Sequence, residues 1–250
     1  MTILQKVAVQ PGLTEAVRLA LAPTGVLRVG VYRGSPSSYL PDTDAERGVG
    51  FLMGRAFAEY LGVPFDPVVF PKNAEVLAAL EHGRLDLVFT NATADRARAM
   101  DFSPRLLDVE KSVLVPPGSA YPSLESLRGV PARIGINVGS TTGAELAKVY
   151  PSARLIPVPT LQQAADMLDR KELDGFATNK AILFEVADKV PGSKVLAGAW
   201  GLEHFALGIP LRRDAGRSIL TRFAHFALSS GLLHDAVLAS RLRGTVAPNS

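Results

Sequence analysis

Strand-like and helix-like segments alternate along most of this 250-residue chain, and this alternation restricts the possible folds more than any other feature. VLRVGVY, FDPVVFP and LDLVFT are rich in β-branched or aromatic residues and are predicted strands. Between them, FLMGRAFAEYLG is predicted as a helix that ends at Gly62, and NAEVLAALEHG as a helix with Asn73 at its N-cap and Gly83 at its end. Strands and helices at this spacing predict parallel βαβ units with right-handed crossovers.

The same alternation begins again after SVLVPPGSAYPSLESLRG, a polar stretch with paired prolines. Its predicted strands are ARIGINV, ARLIPVP and LDGFAT, and its predicted helices are GSTTGAELAKVY, LQQAADMLDRKE and NKAILFEVADKV. The chain is therefore predicted to form two α/β lobes of similar construction. The tail adds a strand, FALGIPL, and the helical segment ILTRFAHFALSSGLLHDAVLASRL, whose broad apolar stripe we assign to the first lobe.

Composition argues against several classes of function. Hydrophobic residues make up 47% of the chain, which is enough for a substantial core. The formal net charge is +3 and the cations are scattered among carboxylates, so we expect no nucleic-acid partner. The chain has no cysteine and its four histidines have no paired spacing. No nucleotide-binding fingerprint occurs either, so we expect neither a metal nor a cofactor.

The sequence gives conflicting indications about export. No apolar run approaches the roughly 20 residues that span a bilayer, so we expect no membrane-spanning segment. Residues 1–25 contain only short apolar pieces interrupted by polar residues, unlike a signal peptide. We therefore expect either a mature or re-started chain or a protein that is not exported.

A polar turn follows the predicted strand LDLVFT, where a parallel α/β sheet places its ligands. Arg96 in this turn can form a two-pronged, charge-assisted pair with a carboxylate, and Asn91 and Thr93 add neutral donors beside it. An alternative is that Arg96 and Arg98 are solvated residues in the first turn of a helix.

A second polar turn, VGSTTGAEL, begins a helix near Thr142. The free N–H groups and positive end of this helix favour an anion, with the hydroxyls of Ser140 and Thr141 alongside. The alternative is simple N-capping, with Glu145 completing a capping box from Thr142. Together the two turns predict a small anion bound by both lobes, which would hold a cleft closed.

Several further segments in order resemble a known family. They are LRVGVY, GVGF, LAALEHGRLDLVFT, TADRARAMDFSP, SLESLRGVPARIGINVGSTT, ADMLDRKELDGFAT and GLLHDAV. The chain resembles the family 3 extracellular solute-binding proteins, the polar amino-acid receptors of ABC importers. The resemblance implies an α/β, type II periplasmic-binding-protein-like clamshell, each lobe a mixed, mainly parallel sheet flanked by helices. Lobe 1 would be 1–112 plus 202–250 and lobe 2 would be 113–201, joined by two hinge crossings.

The resemblance also implies ligand roles for particular residues. Arg96 in TADR would pair with the α-carboxylate of the ligand, and Asn91 would donate to the same group. Ser140 and Thr141 in GSTT would cap that carboxylate from the other lobe. Two further residues have local alternatives. Tyr39 would form an apolar lid or would be an exposed loop residue, and Asn73 would reach the ligand or only cap its helix.

This chain departs from the family pattern at the predicted ligand site. Asn179 stands where relatives commonly place an aspartate that takes the ammonium of the ligand, and an amide brings no charge. Arg33 stands where many relatives have an acidic residue, and the loop before TADR lacks the usual glycine and is about two residues shorter. The changes at residues 179 and 33 predict a small carboxylate without a free α-ammonium, or one with a masked or differently held amine, in place of a standard amino acid.

The predicted function is binding of a small carboxylate by a monomeric periplasmic receptor that serves an ABC permease. One alternative is a lyase like the cyclohexadienyl and arogenate dehydratases, which resemble this fold and need a proton donor in the cleft. The candidate acids and bases are Glu145, Glu172, Asp174, Glu203 and His204, and none is clearly directed at the predicted cleft. Another alternative is a ligand-sensing module that signals to a membrane partner.

Overall fold

The computed structural model describes residues 6–41 and 46–246 and divides them into two compact units. Unit 1 contains the described residues up to Asp108 together with His204–Leu242. Unit 2 contains Val109–Glu203 together with Arg243–Val246. The sequence did not predict the return of Arg243–Val246 to unit 2. The predicted lobe limits at 112 and 202 remain a prediction.

Unit 1 is a mixed sheet flanked by helices. Its helices are α1 (Glu15–Leu21), α2 (Val49–Leu61), α3 (Asn73–Glu81), α7 (Asp214–Ser229) and α8 (Leu232–Ala239). Its strands are β1 (Leu27–Tyr32), β2 (Phe65–Phe70), β3 (Leu87–Asn91), β4 (Met100–Phe102) and most of β10 (Gly201–Pro210). The strand order is β2-β1-β3-β10, with β1 parallel to β2 and β3, and β10 antiparallel to β3 and β4. Aromatic side chains of α2 and α7 pack together, with Phe57 4.8 Å from Phe223 between ring centroids.

Unit 2 repeats this plan. Its helices are α4 (Thr142–Val149), α5 (Leu161–Asp169) and α6 (Lys180–Ala187). Its strands are most of β5 (Leu107–Val115), then β6 (Arg133–Asn137), β7 (Arg154–Val158), β8 (Gly175–Asn179), β9 (Lys194–Val195) and β11 (Thr245–Val246). The order is β7-β6-β8-β5, with β6 parallel to β7 and β8, and β5 antiparallel to β8. Val113 and Leu114 are successive residues of β5 and enter separate buried clusters, so both faces of the sheet are covered.

The alternation of strands and helices predicted from the sequence is confirmed, but two predicted caps are wrong. Asn73 is the first residue inside α3, and Lys72 is the N-cap, without a side-chain hydrogen bond. Thr141 is the N-cap of α4, so the capping box from Thr142 does not form. The Glu145 carboxylate instead accepts a hydrogen bond from the Lys111 ammonium. In both helices the cap lies one residue earlier than the residue preferences predict.

The long apolar segment of the tail forms separate helices, α7 and α8. They are divided at Gly231, which has a φ of 75°. A left-handed backbone of this kind favours glycine because a side chain would be strained there. Among residues 6–41 and 46–246, none of the helices is both long and apolar enough to cross a membrane.

In each unit, an arginine near the start of one strand is bound to an aspartate just before the neighbouring strand. We call this arrangement the Arg–Asp clasp. In unit 1, Arg28 on β1 donates from its backbone N–H and its Nε to Asp86 Oδ2, at 3.0 and 2.8 Å. In unit 2, Arg133 on β6 donates in the same way to Asp174 Oδ2, at 2.8 and 3.1 Å. Both aspartates directly precede the central strand, β3 or β8. The clasps therefore fix the two strands whose far ends carry the candidate ligand residues.

Candidate functional site

In unit 1, the candidate residues Arg96, Asn91 and Thr93 lie together at the carboxyl end of β3. Every residue of β3 is buried, and the strand ends at Asn91. Nη1 of Arg96 donates to Thr90 Oγ1 at 2.7 Å and to the Asn91 carbonyl oxygen at 3.0 Å. Thr93 Oγ1 accepts from the Arg96 backbone N–H at 3.2 Å. The guanidinium is half-buried and held in place by these bonds, so it is not a loosely solvated side chain.

The Asn91 side chain is bound to the start of β10. It is 6% exposed, and its Oδ1 accepts from the His204 backbone N–H at 2.8 Å. Nδ1 of His204 lies 2.8 Å from Oδ1 of Asp108, which is buried. This orientation of the amide leaves its NH₂ group, the donor of the Asn91 side chain, on the side away from the His204 N–H.

The other unit 1 candidates lie after β1 and at the start of α3. Arg33 is exposed, and its backbone N–H donates to the Phe70 carbonyl at 3.1 Å. Asn73 is half-buried in the first turn of α3. The ligand roles expected for both stay predictions.

Tyr39 is packed into unit 1, so the alternative of an exposed loop tyrosine is wrong. The side chain is 6% exposed and its ring centroid lies 5.3 Å from that of Phe51. Its hydroxyl donates to Glu46 Oε1 at 2.7 Å, and this hydrogen bond, together with burial, raises the pKa of Tyr39. The predicted lid role of Tyr39 stays a prediction.

In unit 2, the start of α4 carries the predicted GSTT turn. Ser140 Oγ donates to the Asn137 carbonyl at 2.7 Å, and Thr141 is the N-cap without a side-chain cap hydrogen bond. Because no side chain caps α4, its first N–H groups keep their capacity to bind an anion. The predicted contact of Ser140 and Thr141 with a carboxylate remains a prediction.

The predicted residue Asn179 is the last residue of β8 and the N-cap of α6. The side chain is 4% exposed, and its Oδ1 accepts from the Ile182 backbone N–H at 3.0 Å. Its Nδ2 donates to Glu203 Oε2, also at 3.0 Å. A carboxylate, that of Glu203, therefore lies beside Asn179, although the sequence alone predicts an amide there without a neighbouring charge. Sequence reasoning did not place Glu203 there because 24 residues separate the two along the chain.

A buried lysine, which the sequence analysis also missed, lies opposite Asn179 in the β5–β8 register. Lys111 has a side chain 1% exposed, and its ammonium is paired with Glu145. The same ammonium lies 5.4 Å from the centroid of the Trp200 ring. A buried cation needs such partners, so this part of unit 2 is built around paired charges. A single lysine within the apolar strand VEKSVLV was the available signal.

Within the part of the chain that the structure describes, no group of three or more His, Asp or Glu side chains is arranged to hold a metal ion. The charged groups near the candidate residues are instead paired with one another. In unit 1 the arrangement presents an oriented guanidinium, a group that can pair with a carboxylate.

Solved structures similar to this chain include several amino-acid receptors. An amino acid ABC transporter substrate-binding protein from Streptococcus pneumoniae, bound to L-arginine, is 21% identical, with a TM-score of 0.77 over 92% of this chain and all of its own. The solute receptor for L-cysteine of Neisseria gonorrhoeae is 21% identical, with a TM-score of 0.76 over 91% of this chain and 93% of its own. These likenesses confirm the predicted α/β periplasmic-binding-protein fold.

Another similar structure is an ancestral amino acid-binding protein described as a precursor of cyclohexadienyl dehydratase. It is 18% identical, with a TM-score of 0.75 over 90% of this chain and 98% of its own. At this level of identity the likeness shows the fold alone.

Curated relatives include membrane-bound lytic murein transglycosylase F from two Shewanella species. The Shewanella frigidimarina protein is 25% identical over 166 residues, and the Shewanella baltica protein is 30% identical over 165 residues. Each alignment covers 65% of this chain but 33% of the relative. This chain therefore spans about a third of the length of these curated relatives.

The family profile gives the broadest match. The profile of the bacterial extracellular solute-binding proteins, family 3, matches residues 27–227. That range contains β1 to most of α7, and it includes Arg96, Asn179 and Glu203. The chain belongs to the bacterial extracellular solute-binding proteins of family 3.

Proposed function

We propose that the protein binds a small solute that carries a carboxylate, an amino acid or a related organic acid, and that Arg96 is the main partner of that carboxylate. The observation that carries the proposal is the fixed position of the guanidinium. Nη1 is held by Thr90 Oγ1 and the Asn91 carbonyl at the carboxyl end of β3. Ligands of parallel α/β sheets bind at that end of the strands.

Bonds from Arg96 to its own turn lower the cost of binding. A flexible arginine loses rotamer freedom when it pairs with a carboxylate, whereas a guanidinium already oriented loses less. Asn91 and Thr93 support the same turn, and their positions are themselves fixed by hydrogen bonds.

Unit 2 supplies a separate preference for an anion. α4 begins without a side-chain cap, so its free N–H groups and helix dipole favour a carboxylate near Ser140 and Thr141. Asn179, Arg33, Tyr39 and Asn73 belong to the same proposal as contributing residues.

The test is calorimetric titration of refolded protein, freed of carried-over ligand, with amino acids, 2-oxo acids and 2-hydroxy acids. In the Arg96→Ala variant, affinity for the best ligand should fall at least about a hundredfold, because charge-assisted bonds to its carboxylate are lost. Arg96→Lys keeps the positive charge but lacks the planar guanidinium, so its affinity should lie between those of wild type and Arg96→Ala. Thermal midpoints without ligand would show whether each variant is folded.

The matched control is Arg98→Ala, two residues away. The Arg98 side chain is 83% exposed and is paired at 3.4 Å with Asp95. The affinity of Arg98→Ala should stay within about threefold of wild type, because exposed ion pairs of this kind contribute little free energy. Equal effects of the two alanine variants, or no binding of any carboxylate, would contradict the proposal.

We further propose that the protein acts without turnover, outside the cytoplasm, as the receptor of an ABC permease. Support comes from membership of an extracellular solute-binding family and from the Streptococcus pneumoniae neighbour, an ABC transporter substrate-binding protein. Conversion of prephenate or arogenate during the titrations would overturn the binding-only proposal in favour of a lyase.

A further inference from the structure

The buried lysine of unit 2 lies at the end of the sheet where ligands bind. Lys111 on β5 stands opposite Asn179, the last residue of β8, in the antiparallel register of these strands. Because β8 runs parallel to β6, Lys111 lies level with the carboxyl ends of both strands, the usual place for ligands of α/β sheets. Its side chain is 1% exposed. A cation that water does not reach acts on nearby charges more strongly than a surface lysine does.

Lys111 points to the face of the sheet that α4 covers. Alternate residues of a strand share a face, so Lys111 lies on the same face of β5 as Val113. Val113 belongs to the buried cluster that also contains Leu146 of α4. The Lys111 ammonium accordingly meets the carboxylate of Glu145, in the first turn of α4. The ring of Trp200, whose centroid lies 5.4 Å from the ammonium, is a second favourable contact for the cation.

Glu145 directly follows the part of α4 that can meet an anion. Its backbone N–H donates to the carbonyl of Thr141, the N-cap, at 3.2 Å. The N–H groups of residues 142–144 precede this first helical bond and are therefore the ones that can donate to an anion. A negative charge within about one helical turn of these groups repels an anion that binds there. An unbalanced Glu145 would thus weaken anion binding at the start of α4.

We infer that Lys111, by balancing the charge of Glu145, determines how strongly the start of α4 attracts the carboxylate of the solute. Lys111 acts through Glu145 and is therefore a positioning residue, which needs no contact with the solute. The inference rests on the proposed function, because it requires the carboxylate near Ser140 and Thr141. All the side chains that it uses belong to unit 2.

The test removes each charge of the pair separately. The titrant is the tightest binder among the amino acids, 2-oxo acids and 2-hydroxy acids of the calorimetric panel. In Lys111→Met the Glu145 charge is unbalanced, so affinity should fall about three- to tenfold. In Glu145→Gln the lysine keeps a hydrogen-bond acceptor while the negative charge is lost, so affinity should rise about three- to tenfold. The double variant Lys111→Met/Glu145→Gln should return to within about twofold of wild type.

Opposite signs distinguish this role from a purely structural one. A pair that only held α4 against the sheet would weaken binding when either partner was changed. The salt dependence gives a second criterion. The affinity differences between each single variant and wild type should shrink between about 50 mM and about 500 mM sodium chloride, because dissolved ions screen the charges. A packing defect would leave these differences unchanged.

The matched control is an ion pair at the other end of the same helix. Arg128 is paired with Glu125 at 2.6 Å, and its guanidinium lies 5.9 Å from the ring centroid of Tyr150, the C-cap of α4. The eight residues of α4 span about 12 Å, which exceeds the screening length of about 10 Å at 0.1 M salt. Arg128→Met and Glu125→Gln should therefore each leave affinity within about twofold of wild type.

The outcomes separate the inference from the proposed function. If Lys111→Met and Glu145→Gln changed affinity in the same direction, or not at all, the role of Lys111 would be overturned, while a loss of binding in Arg96→Ala would still support the proposed function. Thermal midpoints without solute would show which variants are folded. Should Lys111→Met fail to fold, Glu145→Gln decides alone, since only a rise in affinity agrees with the inference. If no acid of the panel binds wild type, both proposals fail.

Discussion

The two Arg–Asp clasps have nearly the same hydrogen bonds but differ in burial. In each, the arginine also donates to the backbone carbonyl three residues before the aspartate, at 3.0 Å from Gly83 O in unit 1 and from Lys171 O in unit 2. Asp86 is completely buried and accepts a further bond from Arg213 at 2.8 Å, whereas the Asp174 side chain is 26% exposed. The residues of the clasp itself determine its hydrogen bonds, whereas residues far along the chain, such as Arg213, determine how deeply its aspartate is buried.

The similarity extends to the packing next to each clasp. Gly30 and Gly135 lie two residues after the clasp arginines. A Cβ at Gly30 would lie 2.4 Å from Leu85, and one at Gly135 would lie 2.6 Å from Leu173. Each leucine directly precedes its clasp aspartate, so the strand must pass close to it. The two units thus share a glycine packed closely against a leucine, as well as a strand order.

The largest expected effect is a difference between the two clasps on removal of the aspartate. Asp86→Ala would leave Arg28 and Arg213 without their buried partner and should cost about 3–5 kcal/mol of unfolding free energy. Asp174→Ala should cost much less, because water reaches Arg133, whose side chain is 43% exposed. Urea and thermal unfolding of both variants would measure this. Equal losses would mean that burial does not decide the strength of a clasp.

A smaller effect is expected from acid. For Asp86, burial alone would raise the pKa, but the hydrogen bonds from Arg28 and Arg213 outweigh it and lower the pKa. For Asp174, the hydrogen bond from Arg133 lowers the pKa. Each group therefore stabilises the fold fully above its unfolded pKa of about 3.9, and this stabilisation is lost as pH falls through the lower folded pKa.

Thermal midpoints between pH 2 and pH 6 would check this expectation. The thermal midpoint of wild type should fall below about pH 4. The midpoints of Asp86→Asn and Asp174→Asn should be lower than that of wild type at pH 6 and should fall less steeply with acid. Asp214→Asn, at a side chain 78% exposed, is the control and should decline as wild type does. If the thermal midpoint of Asp86→Asn fell with pH as steeply as that of wild type, the clasps would not be the cause of the loss of stability in acid.

The smallest effect concerns the carbonyl that each arginine binds. Gly83 and Lys171 occupy the same place after α3 and α5, with φ of 71° and 57°. Left-handed backbone strains lysine but not glycine, so Lys171→Gly should raise the unfolding free energy by about 0.5–1 kcal/mol. Gly83→Lys should lower it by a similar amount. Urea unfolding would measure both, and opposite signs would show that other contacts of the lysine outweigh its backbone strain.

Features that depend on nearby residues could be predicted from the sequence. Strands and helices were predicted because their periodicity is local. Arg96, Asn91 and Thr93 were placed together because they share one turn, and the hydrogen bonds from Arg96 to Thr90, Asn91 and Thr93 span three to six residues of the chain.

Features that depend on distant residues could not be predicted. Glu203 lies 24 residues from Asn179, and Lys111 lies 34 residues from Glu145. Nothing in a single sequence indicates that these pairs meet, because their meeting depends on strand order and register. The chemistry of Asn179 was therefore judged from its own amide, without the carboxylate that the fold brings to it.

The return of Arg243–Val246 to unit 2 has a consequence for synthesis on the ribosome. Arg243 donates to Asp188 and Glu185, and the Gly244 carbonyl accepts from the Glu110 backbone N–H. Unit 2 therefore stays incomplete until residues 243–246 have been translated, and unit 1 likewise waits for His204–Leu242. Neither unit can finish folding as an uninterrupted stretch of nascent chain, so both remain exposed to chaperones and proteases until late in translation.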